Sequence, residues 1–136
     1  MAYRVLVVDD SRMMRDMVAK AVAMSGLDIA ATDTAGDGRE ALAKLRAGWF
    51  DLVLLDINMP VMNGTHFLKV LRAHARFRTL PVVALTTSTD LETVRRAYEF
   101  GANAVVNKVD SLDGMSEIVN TIVDFWFRVA RRYFLD

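Results

Sequence analysis

Five short runs rich in valine, leucine and alanine punctuate this chain, and stretches with helical periodicity fill the intervals between them. The runs Tyr3 to Val8, Asp28 to Thr32, Asp51 to Leu55, Val82 to Leu85 and Ala104 to Val106 read as strands. Ser11 is placed to N-cap a helix from Arg12 to Met24, and Gly26 stops it. Asp37 and Glu40 stand in capping-box positions for a helix through Leu45, and Gly48 ends that helix. Thr65 to Ala75 reads as a third helix, with Phe67, Leu68, Leu71 and Ala75 on one face. Thr89 and Glu92 predict the start of a fourth, which closes at Gly101. Apolar strands that alternate with amphipathic helices require a parallel sheet covered on both faces. The chain therefore reads as an α/β protein with a doubly wound, five-stranded parallel sheet. Its 136 residues suit one domain with one sheet, without a separate output domain.

Parallel α/β sheets bind ligands beyond the carboxyl ends of their strands. Every conspicuous polar residue of this chain lies at such an end: Asp9 and Asp10 after the first strand, Asp56 after the third, Thr86 after the fourth and Lys108 after the fifth. An isolated Asp in such a place is more often a turn residue. Joint placement at the ends of four strands is what points to chemistry. Clustered carboxylates repel one another unless a cation compensates. An oxygen-only donor set suits a hard cation such as Mg²⁺, which works beside phosphate. An aspartate is also a nucleophile toward phosphorus. Lys108 then supplies a fixed charge, and the Thr86 hydroxyl a hydrogen bond to a phosphoryl oxygen, with backbone N–H groups after Asp56 and Thr86 as further donors.

The segments "VLVVDDS", "GDGREAL", "LLDINMPVMNG", "PVVALTTS" and "GANAVVNK" together resemble the receiver domains of two-component response regulators, over roughly residues 3 to 125. The resemblance implies a flavodoxin-like strand order 2-1-3-4-5. It implies that Asp56 is phosphorylated by a histidine kinase or a small phosphodonor. Asp10, Asp56 and the Asn58 carbonyl would bind Mg²⁺ directly and Asp9 through water. Lys108 would pair with the phosphoryl group, and Thr86 would swing toward it and draw the fourth helix along. Catalysis would be limited to autophosphorylation and autodephosphorylation. Two positions depart from the pattern: Val109 replaces the usual proline after the lysine, and Val105 replaces the usual aromatic switch residue. The "LTTS" segment and the missing proline look most like regulators that serve phytochrome-type kinases.

The last helix is expected from Leu112 to about residue 134, spanning roughly 35 Å at 1.5 Å per residue. A five-residue strand covers only about 17 Å. Leu112, Met115, Val119, Ile122, Trp126, Val129 and Tyr133 form one apolar seam, and Val123, Phe127, Ala130 and Phe134 a second. The overhanging end predicts a homodimer or partner surface made of Phe125, Trp126, Phe127, Val129, Tyr133 and Phe134. The alternative is a tail folded back on its own domain. His66 and His74 read as surface residues, and Met13, Met14 and Met17 as core filler.

A formal net charge of zero argues against a nucleic-acid partner. Without cysteine there is no disulfide, thiolate metal site or thiol nucleophile. No run reaches the ~20 apolar residues of a membrane span, and the expected location is the cytoplasm. A second functional class stays open, a small Mg²⁺-dependent phosphohydrolase working through an aspartyl-phosphate, but it needs a substrate pocket and the loops are short. A flavodoxin-like cofactor binder would need a Gly-rich phosphate loop, which is absent from the sequence.

Overall fold

The computed structural model describes residues 2–59 and 62–131. Five strands, β1 (Tyr3–Val8), β2 (Ile29–Ala35), β3 (Leu52–Asp56), β4 (Val82–Thr86) and β5 (Ala104–Asn107), form one parallel sheet in the order β2-β1-β3-β4-β5. The helices are α1 (Arg12–Ala23), α2 (Gly38–Ala47), α3 (Gly64–Ala73), α4 (Leu91–Glu99) and α5 (Leu112–Asp124). Strand side chains alternate between faces, and here both faces are apolar. Leu6, Val8, Val53, Leu55, Val82 and Ala84 point to α2, α3 and α4, where they meet Leu42, Leu45, Phe67, Leu68, Leu71 and Ala97. Val5, Val7, Leu52, Leu54, Val83 and Leu85 point to α1 and α5, against Val18, Val22, Met115, Val119 and Val123. That double burial is why the strands read as continuous apolar runs.

Helix starts follow local chemistry. The side chains of Ser11, Asp37, Asn63 and Ser111 accept hydrogen bonds from the backbone N–H groups of Met14, Glu40, His66 and Gly114. The cap of α4 is Asp90, not Thr89, and its carboxylate accepts from the Glu92 N–H. A carboxylate is also better placed than a hydroxyl against the positive end of the helix dipole. β2 runs to Ala35 rather than Thr32, because Asp33, Thr34 and Ala35 continue the pairing with Leu6, Val7 and Val8. α3 stops at Ala73, two residues early. The chain then turns through a short 3₁₀ segment, Ala75–Phe77, which leaves Ala75 exposed and Phe77 in the core.

The final helix departs most from expectation. Regular α-helix ends at Asp124, a π-turn covers Phe125–Val129, and Ala130 is extended, so the helix stops short of residue 134. The wider turn shifts the register of the aromatic run. Phe127 is only 7% exposed; its ring stacks on Tyr3 with centroids 4.1 Å apart, and its carbonyl accepts from the Tyr3 hydroxyl. It therefore belongs to the core and not to an outer surface. Trp126 is half-buried, edge-on to Phe125. Phe125 and Val129 face outward, 48% and 66% exposed. Leu112, at the helix start, is exposed and off the seam. Tyr133 and Phe134 lie outside the described residues. His66 and His74 are exposed as expected. Met13 is exposed too, whereas Met14 and Met17 pack partly against the second core layer.

Candidate phosphoryl-acceptor and metal site

Sheet register brings the polar residues to one level. Val8 pairs with Leu55, so the next residues, Asp9 and Asp56, lie side by side where the strand order reverses. Thr86 pairs with Asn107, which sets Lys108 one residue further out on β5. Asp9, Asp10 and Asp56 each offer a carboxylate oxygen within 4.8 Å of the others. Asp9 and Asp56 are buried, and Asp10 is open to solvent. The Lys108 ammonium reaches across 99 residues to Asp9 Oδ2 at 2.7 Å and stands 3.3 Å from Asp56 Oδ1.

One cation among three carboxylates leaves excess negative charge. Burial, then the neighbouring Asp9 charge, pushes the Asp56 carboxyl up to about 7, against the pull of Lys108 and the Asn58 N–H. A carboxyl raised in the folded state stabilises the fold while protonated. That contribution is full below the unfolded value near 3.8 and is lost as pH rises through about 7. In chelator, urea denaturation should therefore show stability falling between about pH 4 and pH 7, and Asp56→Asn should flatten that fall. The donor set is all oxygen and short of positive charge, which fits a hard divalent cation.

Loop geometry holds these groups. Asp9 Oδ1 accepts from the Ser11 N–H at 2.9 Å, and Arg15 donates to the Asp9 carbonyl at 2.9 Å. The Asn58 N–H donates to Asp56 Oδ1 at 3.2 Å. Gly64 begins α3 against the acceptor backbone: a Cβ there would lie 2.6 Å from Ile57 Cα and 2.9 Å from the Asp56 carbonyl. Its own N–H bonds the Ile57 carbonyl at 2.8 Å. Only glycine permits that approach.

Thr86 is fully buried, and its Oγ1 accepts from Asn58 Nδ2 at 3.3 Å and from the Ser88 N–H at 3.0 Å. The N–H groups of Asn58 and Ser88, two residues beyond Asp56 and Thr86, are thus committed within their own loops. Asn107 donates from Nδ2 to the carbonyls of Thr86 (3.4 Å) and Ser88 (2.9 Å), tying the β4–α4 loop to β5. Sequence reasoning passed over Asn107, although it sits at a strand end beside Lys108. Arg15 carries no local signal at all. The Lys108–Val109 peptide is trans. Val105 packs against the first core layer.

The model of one family, the response regulator receiver domain, matches residues 5–120. The chain belongs to that family. This receiver domain is 35% identical over 133 residues to protein-glutamate methylesterase/protein-glutamine glutaminase 1 of Hahella chejuensis, covering 95% of the chain and 36% of the relative. It spans about a third of the length of the methylesterase relatives it matches. Among solved structures it is similar to the phosphorylated cyanobacterial phytochrome response regulator RcpA, with a TM-score of 0.91, 28% identity and coverage of 98% of this chain and 100% of that one. It is also similar to the Mn²⁺-bound form of the response regulator Rcp1, with a TM-score of 0.87, 27% identity and coverage of 97% and 99%. Among the described residues of the receiver, no helix is long and apolar enough to cross a membrane.

Proposed function

We infer that this receiver is a cytoplasmic phosphorylation switch whose acceptor is Asp56 and whose donor is the phosphohistidine of a histidine kinase. The observation that carries the reading is the Lys108 ammonium lodged between Asp9 and Asp56, at 2.7 and 3.3 Å, beside Asp10. A fixed cation beside a nucleophilic carboxylate is what transfer of a phosphoryl group requires. An Asp56 carboxylate oxygen forms the bond to phosphorus while the P–N bond of the phosphohistidine breaks, its electron pair leaving with the imidazole. Hydrolysis reverses the state: water attacks phosphorus, the bond to the Asp56 oxygen breaks, and inorganic phosphate departs. Lys108 balances charge on the phosphoryl oxygens, and the buried Thr86 hydroxyl turns to donate to one of them. Mg²⁺, held by Asp10, Asp56 and the Asn58 carbonyl with Asp9 behind, would neutralise charge on the transferring group. The Mn²⁺-bound relative and the oxygen-only donor set support a divalent ion here.

Incubation with Mg²⁺ and acetyl phosphate tests this reading by intact mass. One phosphoryl adduct is expected on the native chain and none on Asp56→Asn. Turnover of unrelated phosphate esters without an adduct would instead indicate a phosphohydrolase.

The output is a protein contact, with this receiver acting as one domain. A second copy of the chain is the proposed partner, docking along the outer side of α5. Exposed Phe125 and Val129 support that choice, together with the apolar groove between β5 and α5 lined by Val106, Val109, Ile118 and Ile122. Light scattering at micromolar concentration should report a dimer, and Phe125→Glu with Val129→Glu a monomer. A monomeric native chain, phosphorylated or not, overturns the dimer.

A further inference from the structure

α4 is the most lightly held helix of the fold. Ala97 is its single buried residue, and Leu91 is almost fully exposed. A helix with so little apolar surface at stake shifts at low cost. Polar ties to the edge strand β5 hold it instead. At its leading end, Asn107 Nδ2 grips the Ser88 carbonyl at 2.9 Å. At its far end, the Tyr98 hydroxyl accepts the Val105 N–H at 3.1 Å. β5 is the last strand of the sheet, so this N–H points away from β4 and has no strand to meet. Val105 has no ring of its own, whereas Tyr98 brings one to the same place from the helix.

The two ties connect to the candidate site. Thr86 Oγ1 accepts the Ser88 N–H, Ser88 Oγ accepts the Asp90 N–H, and Asp90 caps α4. Any turn of the Thr86 hydroxyl toward Asp56 therefore pulls on the residues that lead into the helix. Because α4 is a short rigid rod with little packing, a pull at its start displaces its end. The Tyr98 bond, formed by a side chain 49% exposed, has little packing to keep it closed.

We propose that Tyr98 is a clasp between α4 and β5: closed in the resting receiver, and opened when Thr86 engages a phosphoryl group on Asp56, which bares the Val105 N–H on the sheet edge. This rests on the acceptor role of Asp56. Linkage then requires reciprocity: a bond present only in the resting state must oppose phosphorylation.

Amide hydrogen exchange on the full chain tests the clasp. In the resting protein with Mg²⁺, Tyr98→Phe should speed exchange at Val105 about tenfold while leaving Val83 and Leu85 unchanged. Equal exchange at Val105 in the native chain and Tyr98→Phe shows that no clasp exists. In the second arm, acetyl phosphate should speed Val105 exchange in the native chain to the level of Tyr98→Phe, and should change that variant little. An adduct seen by mass with Val105 still protected overturns the coupling alone. Failure to form any adduct overturns the acceptor reading and the coupling with it, while the first arm still decides the clasp. Tyr98→Phe should bind beryllofluoride, a phosphoryl mimic, in the presence of Mg²⁺ about two- to tenfold more tightly than the native chain, the range one hydrogen bond supports. Unchanged or weaker binding counts against the coupling.

Discussion

Lys108→Met should tighten divalent-cation binding by about tenfold while slowing phosphoryl acceptance by about a hundredfold. The two effects have opposite signs because one ammonium does two jobs at different times. In the resting site it sits 2.7 Å from Asp9 and 3.3 Å from Asp56, so it occupies oxygens that a divalent ion needs. Methionine has nearly the same reach without charge, and the ion then meets three uncompensated carboxylates. During transfer, however, charge gathers on the phosphoryl oxygens, and loss of a single preorganised donor in a buried site typically costs about 10²–10³ in rate. Asp56, already pushed up to about 7, would move higher in the metal-free variant, because the charge that lowers it is gone. Titration calorimetry with Mg²⁺ and an intact-mass time course with acetyl phosphate read the two quantities separately. If affinity and rate fall together, Lys108 merely maintains the fold of the site.

The second large effect lies far from the carboxylates. Arg72→Met should destabilise the protein by about 3 kcal/mol, visible as a fall of roughly 10 °C in Tm. Arg72, on α3, donates to the carbonyls of Phe77 (2.7 Å), Leu80 (2.8 Å) and Gly101 (2.8 and 3.0 Å) and to Asn103 Oδ1 (3.1 Å). Its guanidinium has no carboxylate partner among these contacts, and burial lowers its pKa. Five donors in a planar fork thus staple the turn after α3 to the turn after α4. Methionine replaces the stem but abandons these acceptors, and each unpaired carbonyl costs about 1 kcal/mol where water reaches it poorly. Gly101 makes the approach possible. Its φ is +112°, and a Cβ there would meet Arg72 Cγ at 2.7 Å. Arg72→Lys should recover only part of the loss, since an ammonium cannot reproduce the fork. Urea titration of the three proteins checks the order native, Lys, Met; equal stability of native and Met variants would mean that water replaces the guanidinium.

Much of this was legible in the residues alone. Alternating strands and helices impose a parallel sheet, and a parallel sheet sends every strand's carboxyl end to one side. Asp9, Asp10, Asp56, Thr86 and Lys108 therefore had to gather, whatever the fine packing. Capping was legible at Ser11 and Asp37 for the same local reason, fell one residue away at α4, where Asp90 and not Thr89 is the cap, and was not read at Asn63 or Ser111. What local pattern could not supply is the choice among long-range partners. Lys108 finds Asp9 across 99 residues because Val8 pairs with Leu55 and Thr86 with Asn107. Arg72 becomes a staple because two distant turns present their carbonyls to it. Helical periodicity carried the aromatic tail straight on, yet the stacking of Phe127 on Tyr3 accompanies a π-turn that no spacing rule contains. Sequence by itself determined which elements form and to which end the reactive groups go, because hydrophobic period and strand polarity are local properties. Tertiary structure alone decided which side chains hold each other there, because hydrogen bonds and ring contacts depend on register and packing to within an ångström.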